Sequence, residues 1–192
     1  MTYPPVIVKL NPSRKEYIRA ENEFLRALGL CVNRWTLVDR EIYRLFRFGL
    51  QRFGMKSASQ AASILYYKQR QLQQHIQLAG DLPAHVIREI EFREEWKPLS
   101  KKINDLAQTR NIIVHHPGLR TGTSKNGKAI YLYSIYIEPY ERLANKEYPG
   151  LKGKSSLEIA DLKQHAESVD AMAKELAAFL KKINRAHQAS SL

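Results

Sequence analysis

Cysteine is nearly absent from this chain: Cys31 is the single one among 192 residues. That excludes an internal disulfide framework and a zinc site built on cysteines. Because Cys31 falls among apolar residues, it reads as a small core residue in a reducing compartment. Long apolar runs are missing as well. None approaches the roughly 18 residues needed to cross a membrane, and no basic segment followed by an apolar stretch opens the chain, so the expectation is a soluble, cytoplasmic protein with no membrane partner. Acidic residues are few, 19 Asp and Glu against 31 Lys and Arg, which leaves a formal net charge of +12. Such a balance favours polyanionic partners, RNA or DNA, although charge alone identifies no ligand. The stretch GTSKNGK lacks the GxxxxGK[ST] order of a phosphate loop, so nothing supports a nucleoside triphosphatase or another cofactor site.

What is present is helical periodicity. The length suits one domain over residues 1–192, with no linker long enough to divide it and no internal repeat. Three prolines around VIVKL, Pro4, Pro5 and Pro12, block regular helix and predict an extended N-terminal strap over 1–18. From Phe24 the apolar positions Leu28, Cys31, Trp35, Val38, Ile42 and Leu45 follow at alternating steps of four and three, a seam along one helix reaching about Phe53. Ser57 and Gln60 have capping-box spacing, and a second helix follows through Ala61, Ile64, Leu65, Leu72 and Ile76 to a stop at Gly80. A third segment starts near Asp81 to Pro83 and runs through Val86, Ile87, Ile90 and Trp96 to Pro98, where the missing N–H predicts a kink or restart.

Beyond Pro117, Asn126-Gly127 suits a type I′ turn and Tyr131, Tyr133, Ile135 and Ile137 alternate on one face, which predicts a β-hairpin over 118–138. A loop over Tyr148 to Lys154 precedes Ser155 and Glu158, again at capping-box spacing. Leu162, Ala166, Val169, Ala173, Leu176, Leu180 and Ile183 then mark a long last helix with a frayed tail over 186–192. The expected fold is mainly α, an antiparallel helical bundle with a small hairpin inserted before the last long helix.

One stretch carries chemistry: TRNIIVHHP, Thr109 to Pro117. Leu99, Ile103 and Leu106 step by four and three, and the series continues at Arg110 and Ile113, so a guanidinium takes an apolar seat. Asn111 and His115 are four apart and share a helical face, and Pro117 makes His116 the end of the helix. Arginine offers a permanent planar charge for phosphate oxygens, asparagine orients without titrating, and histidine exchanges protons near neutral pH. Those are the groups that metal-free cleavage of an RNA phosphodiester needs. The plainer reading is an arginine snorkelling from a seam and a histidine capping a helix end. The adjacent histidines do not predict a metal site, because neighbouring helical side chains diverge by about 100° and no cysteine or carboxylate cluster accompanies them. An RNA track along Arg40, Arg44, Arg47, Lys101, Lys102, Lys125 and Lys128, with Tyr131 or Tyr133 stacking on bases, competes with ordinary solvated charge and core tyrosines.

Arg110, Asn111 and His115, with four residues between arginine and histidine and a polar residue directly after the arginine, resemble the motif of the HEPN superfamily (higher eukaryotes and prokaryotes nucleotide-binding domains). There the motif lies late in a helix of an α-helical bundle with another long helix after it, similar to the order inferred for this chain. The resemblance implies a metal-independent endoribonuclease leaving 2′,3′-cyclic phosphate and 5′-hydroxyl ends, working as a homodimer whose two motifs face one cleft. It would have Arg110 contact phosphate, Asn111 position groups and His115 transfer protons; His116, with five intervening residues, also fits the family pattern. Many members act in toxin–antitoxin or other defence systems, which would make an antitoxin or another regulatory protein a partner, and others only bind nucleic acid or protein without cleaving.

Overall fold

The computed structural model describes residues 14–69, 71–86, 90–115, 118–120, 123–125, 128–130, 135–137 and 157–189. The chain is mainly helical. Among the described residues there are five helices: α1 (Arg14–Arg52), α2 (Ala58–Lys68), α3 (Leu72–Val86), α4 (Ile90–His115) and α5 (Ile159–Ala189). Four three-residue strands lie between α4 and α5: β1 (Gly118–Arg120), β2 (Thr123–Lys125), β3 (Lys128–Ile130) and β4 (Ile135–Ile137). β1 pairs antiparallel with β4 from Gly118↔Ile137 to Arg120↔Ile135, and β2 with β3 from Thr123↔Ile130 to Lys125↔Lys128. These ladders are too short to establish the hairpin expected over 118–138. Its turn, Asn126 and Gly127, and the alternating Tyr131 and Tyr133 lie outside the described residues, as do Tyr148 to Lys154.

Several boundaries differ from the sequence expectation. Residues 14–18 are helical rather than part of an extended strap, whose first thirteen residues lie outside the described part. The helix expected from Ser57 to Gly80 is two helices. Ser57 stands at the N-cap of α2 without a side-chain capping bond, so the expected box with Gln60 does not form. α2 stops at Lys68 because Gln69 turns extended and the His75 ring of α3 places Nε2 3.0 Å from the Tyr66 carbonyl and 3.2 Å from that of Gln69. Carbonyls that lack a helical partner are satisfied from outside, so the helix can end there. α3 runs on through Gly80 and Pro83, and α4 runs on through Pro98. At the start of α5, the Asp161 carboxylate accepts the Glu158 backbone N–H at 2.9 Å, a cap three residues later than the expected pair; Ser155 lies outside the described residues. α5 stays helical to Ala189, past the expected fraying point.

Contacts divide the chain into two compact units, residues 1–32 with 107–166 and residues 33–106 with 167–192. In the first, Phe24, Ala27 and Cys31 of α1, Ile112 and Ile113 of α4, and Leu157, Leu162 and Ala166 form one buried cluster, with Leu28 and Ile159 partly buried against it. Burying each larger aliphatic or aromatic side chain contributes about 1.5–3 kcal/mol, which ties the last turns of α4 to α1 and α5. The Cys31 thiol donates to the Leu162 carbonyl at 3.0 Å, and burial pushes its pKa up to about 11, so it is a packed thiol and no nucleophile near neutral pH.

In the second unit successive helices alternate in direction. Tyr66 of α2 meets Asp39 and Ser63 meets Tyr43, so α2 runs against α1; Glu95 pairs with Lys182 and Lys102 with Glu175, so α4 runs against α5. Arg34 with Asp170 and Arg52 with Asn184 show α5 running the same way as α1, as the alternation of five helices requires. Trp35, Val38, Ile42 and Leu45 of the α1 seam and Val169, Ala173, Leu176 and Ile183 of the α5 seam are buried. Burial within one chain accounts for these seams without a second copy.

A buried polar group organises this unit. The Tyr66 side chain is fully buried, donates its hydroxyl to Asp39 Oδ1 at 2.8 Å and stacks on the His75 ring at 3.8 Å between centroids, while His75 Nδ1 lies 3.4 Å from the same carboxylate oxygen. Burial first, then the Asp39 charge, push the Tyr66 phenol well above its ordinary value. A phenol whose folded pKa exceeds the unfolded one, about 10, gives stability that is complete below that pH and lost as pH rises above it. The Cys31 shift acts in the same direction from about 9 upward. Urea unfolding should therefore show a midpoint that is flat from pH 7 to about 8.5 and falls from about 9 to 11. Tyr66→Phe should cost about 1–2 kcal/mol at pH 7 and make the alkaline fall shallower; an unchanged alkaline slope in that variant would contradict the assignment.

Candidate functional site

α4 carries the sequence-predicted residues at its C-terminal end. Ile112 and Ile113 are 2% and 5% exposed and anchor that end in the first unit's core, which leaves Asn111 exposed and Arg110 half-buried on the adjoining flank. The buried stripe of α4 runs through Leu99, Ile103 and Ala107, four residues at a time, whereas Leu106 is only partly buried. Burial follows the step of four to Ala107 and not the step of three to Leu106, and it continues at Ile112 and Ile113. Arg110 therefore stands at the margin of the apolar stripe, not in a seat within it as the sequence series suggests.

The guanidinium does not point away alone. Arg110 Nη1 donates to Asn111 Oδ1 at 3.0 Å, so two consecutive residues, about 100° apart on the helix, bring their polar ends together on one flank. Among the described residues Arg110 forms no ion pair with a carboxylate. The Asn111 amide nitrogen remains a donor, since the carbonyl oxygen takes the Arg110 bond.

His115 is the last residue of α4, one helical turn beyond Asn111. Its side chain, and all of His116 and Pro117, lie outside the described residues. The backbone on either side is set: α4 closes at His115, and Gly118 opens β1 in register with Ile137 of β4. Carbonyls without helical partners gather at such a helix end, and the negative pole of the helix favours cations there. Structure thus joins Arg110 to Asn111 and puts His115 one turn on.

The proposed RNA track separates into different roles. Arg40 and Arg44 both bind the buried Glu41 carboxylate at 3.1 Å, and Lys102 pairs with Glu175 at 2.7 Å. Arg44 and Arg47 also line a groove with Arg52 and Lys181, which the sequence leaves unmarked because only packing brings the end of α1 beside α5. Their signal in the sequence is faint: Arg44 and Arg47 are three apart on α1, and Arg52 follows eight residues after Arg44. The side chains of Lys125 and Lys128 lie outside the described part. Among the described residues no group of three or more His, Cys, Asp or Glu side chains is placed to hold a metal ion, and no helix is long and apolar enough to cross a membrane. No family model, no curated protein and no solved structure matches this chain.

Proposed function

We propose that the protein is a metal-independent endoribonuclease whose working groups are Arg110, Asn111 and His115 or His116. The observation that carries this reading is the Arg110–Asn111 pair, held at 3.0 Å on an exposed flank one turn before α4 ends at His115. In the reaction a histidine takes the proton of the ribose 2′-hydroxyl, the 2′-oxygen bonds to phosphorus, the bond to the 5′-oxygen breaks, and that oxygen receives a proton. Products are a 2′,3′-cyclic phosphate and a 5′-hydroxyl. Arg110 binds the non-bridging phosphoryl oxygens, where charge grows in the transition state, and the Asn111 amide fixes the guanidinium in place.

The resemblance to HEPN proteins extends the proposal to a homodimer with two motifs on one cleft and to a toxin or defence role under an antitoxin or other regulatory protein; the hairpin insert over 118–138 and a cytoplasmic location rest on the sequence pattern alone. The rival is a catalytically silent nucleic-acid- or partner-protein-binding module, and the groove with four cations favours its nucleic-acid form. The two separate in one assay. RNA incubated with the protein and a chelator should be cut, and its fragments should accept a 5′ label from a kinase without prior phosphatase treatment. Cleavage that needs an added divalent ion, or that leaves 5′-phosphates, would overturn the ribonuclease reading, and salt-sensitive binding with no cleavage would establish the silent module.

A further inference from the structure

In the second unit the end of α1 and the end of α5 enclose a groove of about 740 Å³. Its walls are single helix faces. Arg44, Arg47, Phe48 and Arg52 recur on α1, and Leu180, Lys181 and Asn184 on α5, at spacings of three and four. Among the described residues four cations line it and no carboxylate does. Arg44 shares the neighbouring Glu41 with Arg40, whereas Arg47 has its Nε buried with no hydrogen-bond partner. Arg52 is preorganised: Nη2 donates to Asn184 Oδ1 at 3.0 Å, and the guanidinium lies 5.2 Å from the centroid of the Phe48 ring. Arg47 lines the groove, and among the described residues no carboxylate pairs with it, so its charge faces the groove uncompensated.

We propose that this groove binds the sugar–phosphate backbone of single-stranded RNA, the choice of RNA over DNA resting on the ribonuclease reading above. Arg44 and Arg52 are eight residues apart, about 12 Å along the helix axis, with Arg47 between them. One phosphate cannot bridge that distance, and a chain of phosphates can. A groove of about 740 Å³ lined by two helix faces takes in the backbone of one strand and is too small to take in both strands of a duplex. Guanidinium forks match phosphate oxygens in pairs, and a concave wall with Phe48 and Leu180 among its cations suits a strand better than a flat membrane surface. The groove belongs to residues other than Arg110 and His115, so it adds an RNA-holding surface to the protein and not a second description of the cleavage site.

A fluorescent, 2′-O-methylated RNA of about 12 nucleotides tests this without cleavage, since it has no 2′-hydroxyl to react. Lys181→Glu and Arg47→Gln should each weaken binding roughly 5- to 10-fold and lower the slope of log affinity against log salt by about 0.7 per lost phosphate contact. Lys97→Glu makes the same charge reversal as Lys181→Glu at an exposed lysine that does not line the groove, and should change affinity less than about twofold. Helicity measured by circular dichroism shows that each variant is folded, and the exposed Lys181 keeps the test intact if Arg47→Gln does not fold. Equal losses from Lys97→Glu and Lys181→Glu, or none from either groove variant, would overturn the groove; competition by polyglutamate as strong as by RNA would do the same. A wild-type protein that binds the probe through the groove yet never cuts unmodified RNA sinks the ribonuclease reading and leaves the groove standing. A deoxy strand of the same sequence binding equally well overturns the choice of RNA.

Discussion

Arg110→Ala is expected to lower RNA cleavage about 100- to 1,000-fold while leaving the fold unchanged. The size follows from what the residue supplies. A fixed donor aimed at phosphoryl oxygens is worth most where charge develops, and removing one such donor from an enzyme site typically costs about 3–4 kcal/mol of transition-state stabilisation. The absence of a structural effect follows from its place: Arg110 is half-buried on the flank of α4, its described hydrogen bond goes to the neighbouring Asn111, and the core next to it is made by Ile112 and Ile113. Substitution there should change stability by less than about 0.5 kcal/mol. Arg110→Lys should recover only part of the rate, because an ammonium keeps the charge and loses the planar fork. Asn111→Ala should act through Arg110 by freeing the guanidinium, and should raise KM as well as lower kcat. Cleavage rates and thermal melts of the three variants decide between an active site and a helix-flank arginine. If Arg110→Ala melts several degrees lower and cuts RNA at the wild-type rate, the residue is structural.

Part of this site is legible in the sequence. The order arginine, asparagine, histidine along one helix can be read directly, and α4 reaches His115, one residue short of the end expected at His116, which lies outside the described residues. The series through Leu106 misplaces Arg110 because burial on α4 follows steps of four, from Leu99 to Ile103 to Ala107, and leaves Leu106 and Arg110 only partly buried; the sequence offers a step of three there as readily as a step of four. The groove is hardly legible: the sequence marks Arg44 and Arg47 as basic residues but not the wall opposite them. Arg52 and Lys181 are separated by more than a hundred positions, and no local pattern marks two residues that meet only when helices pack.

The same distinction holds for the fold. Seams on α1 and α5 are visible because repetition over six or seven positions exceeds what chance supplies, and burial follows them closely. Ends are harder, since they depend on partners far along the chain. α2 stops where His75 reaches back to the Tyr66 and Gln69 carbonyls, a contact that no capping residue near Lys68 announces. Pro83 does not open a new helix but lies inside α3, close against Gly49, where a Cβ would meet Pro83 Cδ at 3.0 Å and the ring would have to give by a few tenths of an ångström.

Gly80 is the sharpest case. Read along the sequence it is a helix stop, because glycine at the end of a periodic run commonly closes a helix. In the structure it lies inside α3, and a Cβ added to it would stand 2.1 Å from Trp96 Nε1 and 2.8 Å from Trp96 Cδ1. The glycine is there for the approach of the indole. Trp96 cannot swing aside cheaply, since it is 9% exposed and stacks on Phe179, with ring centroids 6.2 Å apart. Gly80→Ala gains about 1 kcal/mol of helix propensity. It loses more than that to overpacking, which costs about 1–3 kcal/mol and occasionally more where the neighbour is rigid. A contact this short belongs at the upper end, so a net loss of about 2 kcal/mol is expected for alanine and a larger one for valine. The companion change identifies the cause. Trp96→Leu alone removes indole volume from the core and destabilises, yet combined with Gly80→Ala it should recover about 1–2 kcal/mol relative to the sum of the single changes, because the methyl group then occupies space the indole has left. Additive losses in that cycle, measured by urea unfolding, would mean that Gly80 and Trp96 do not constrain each other.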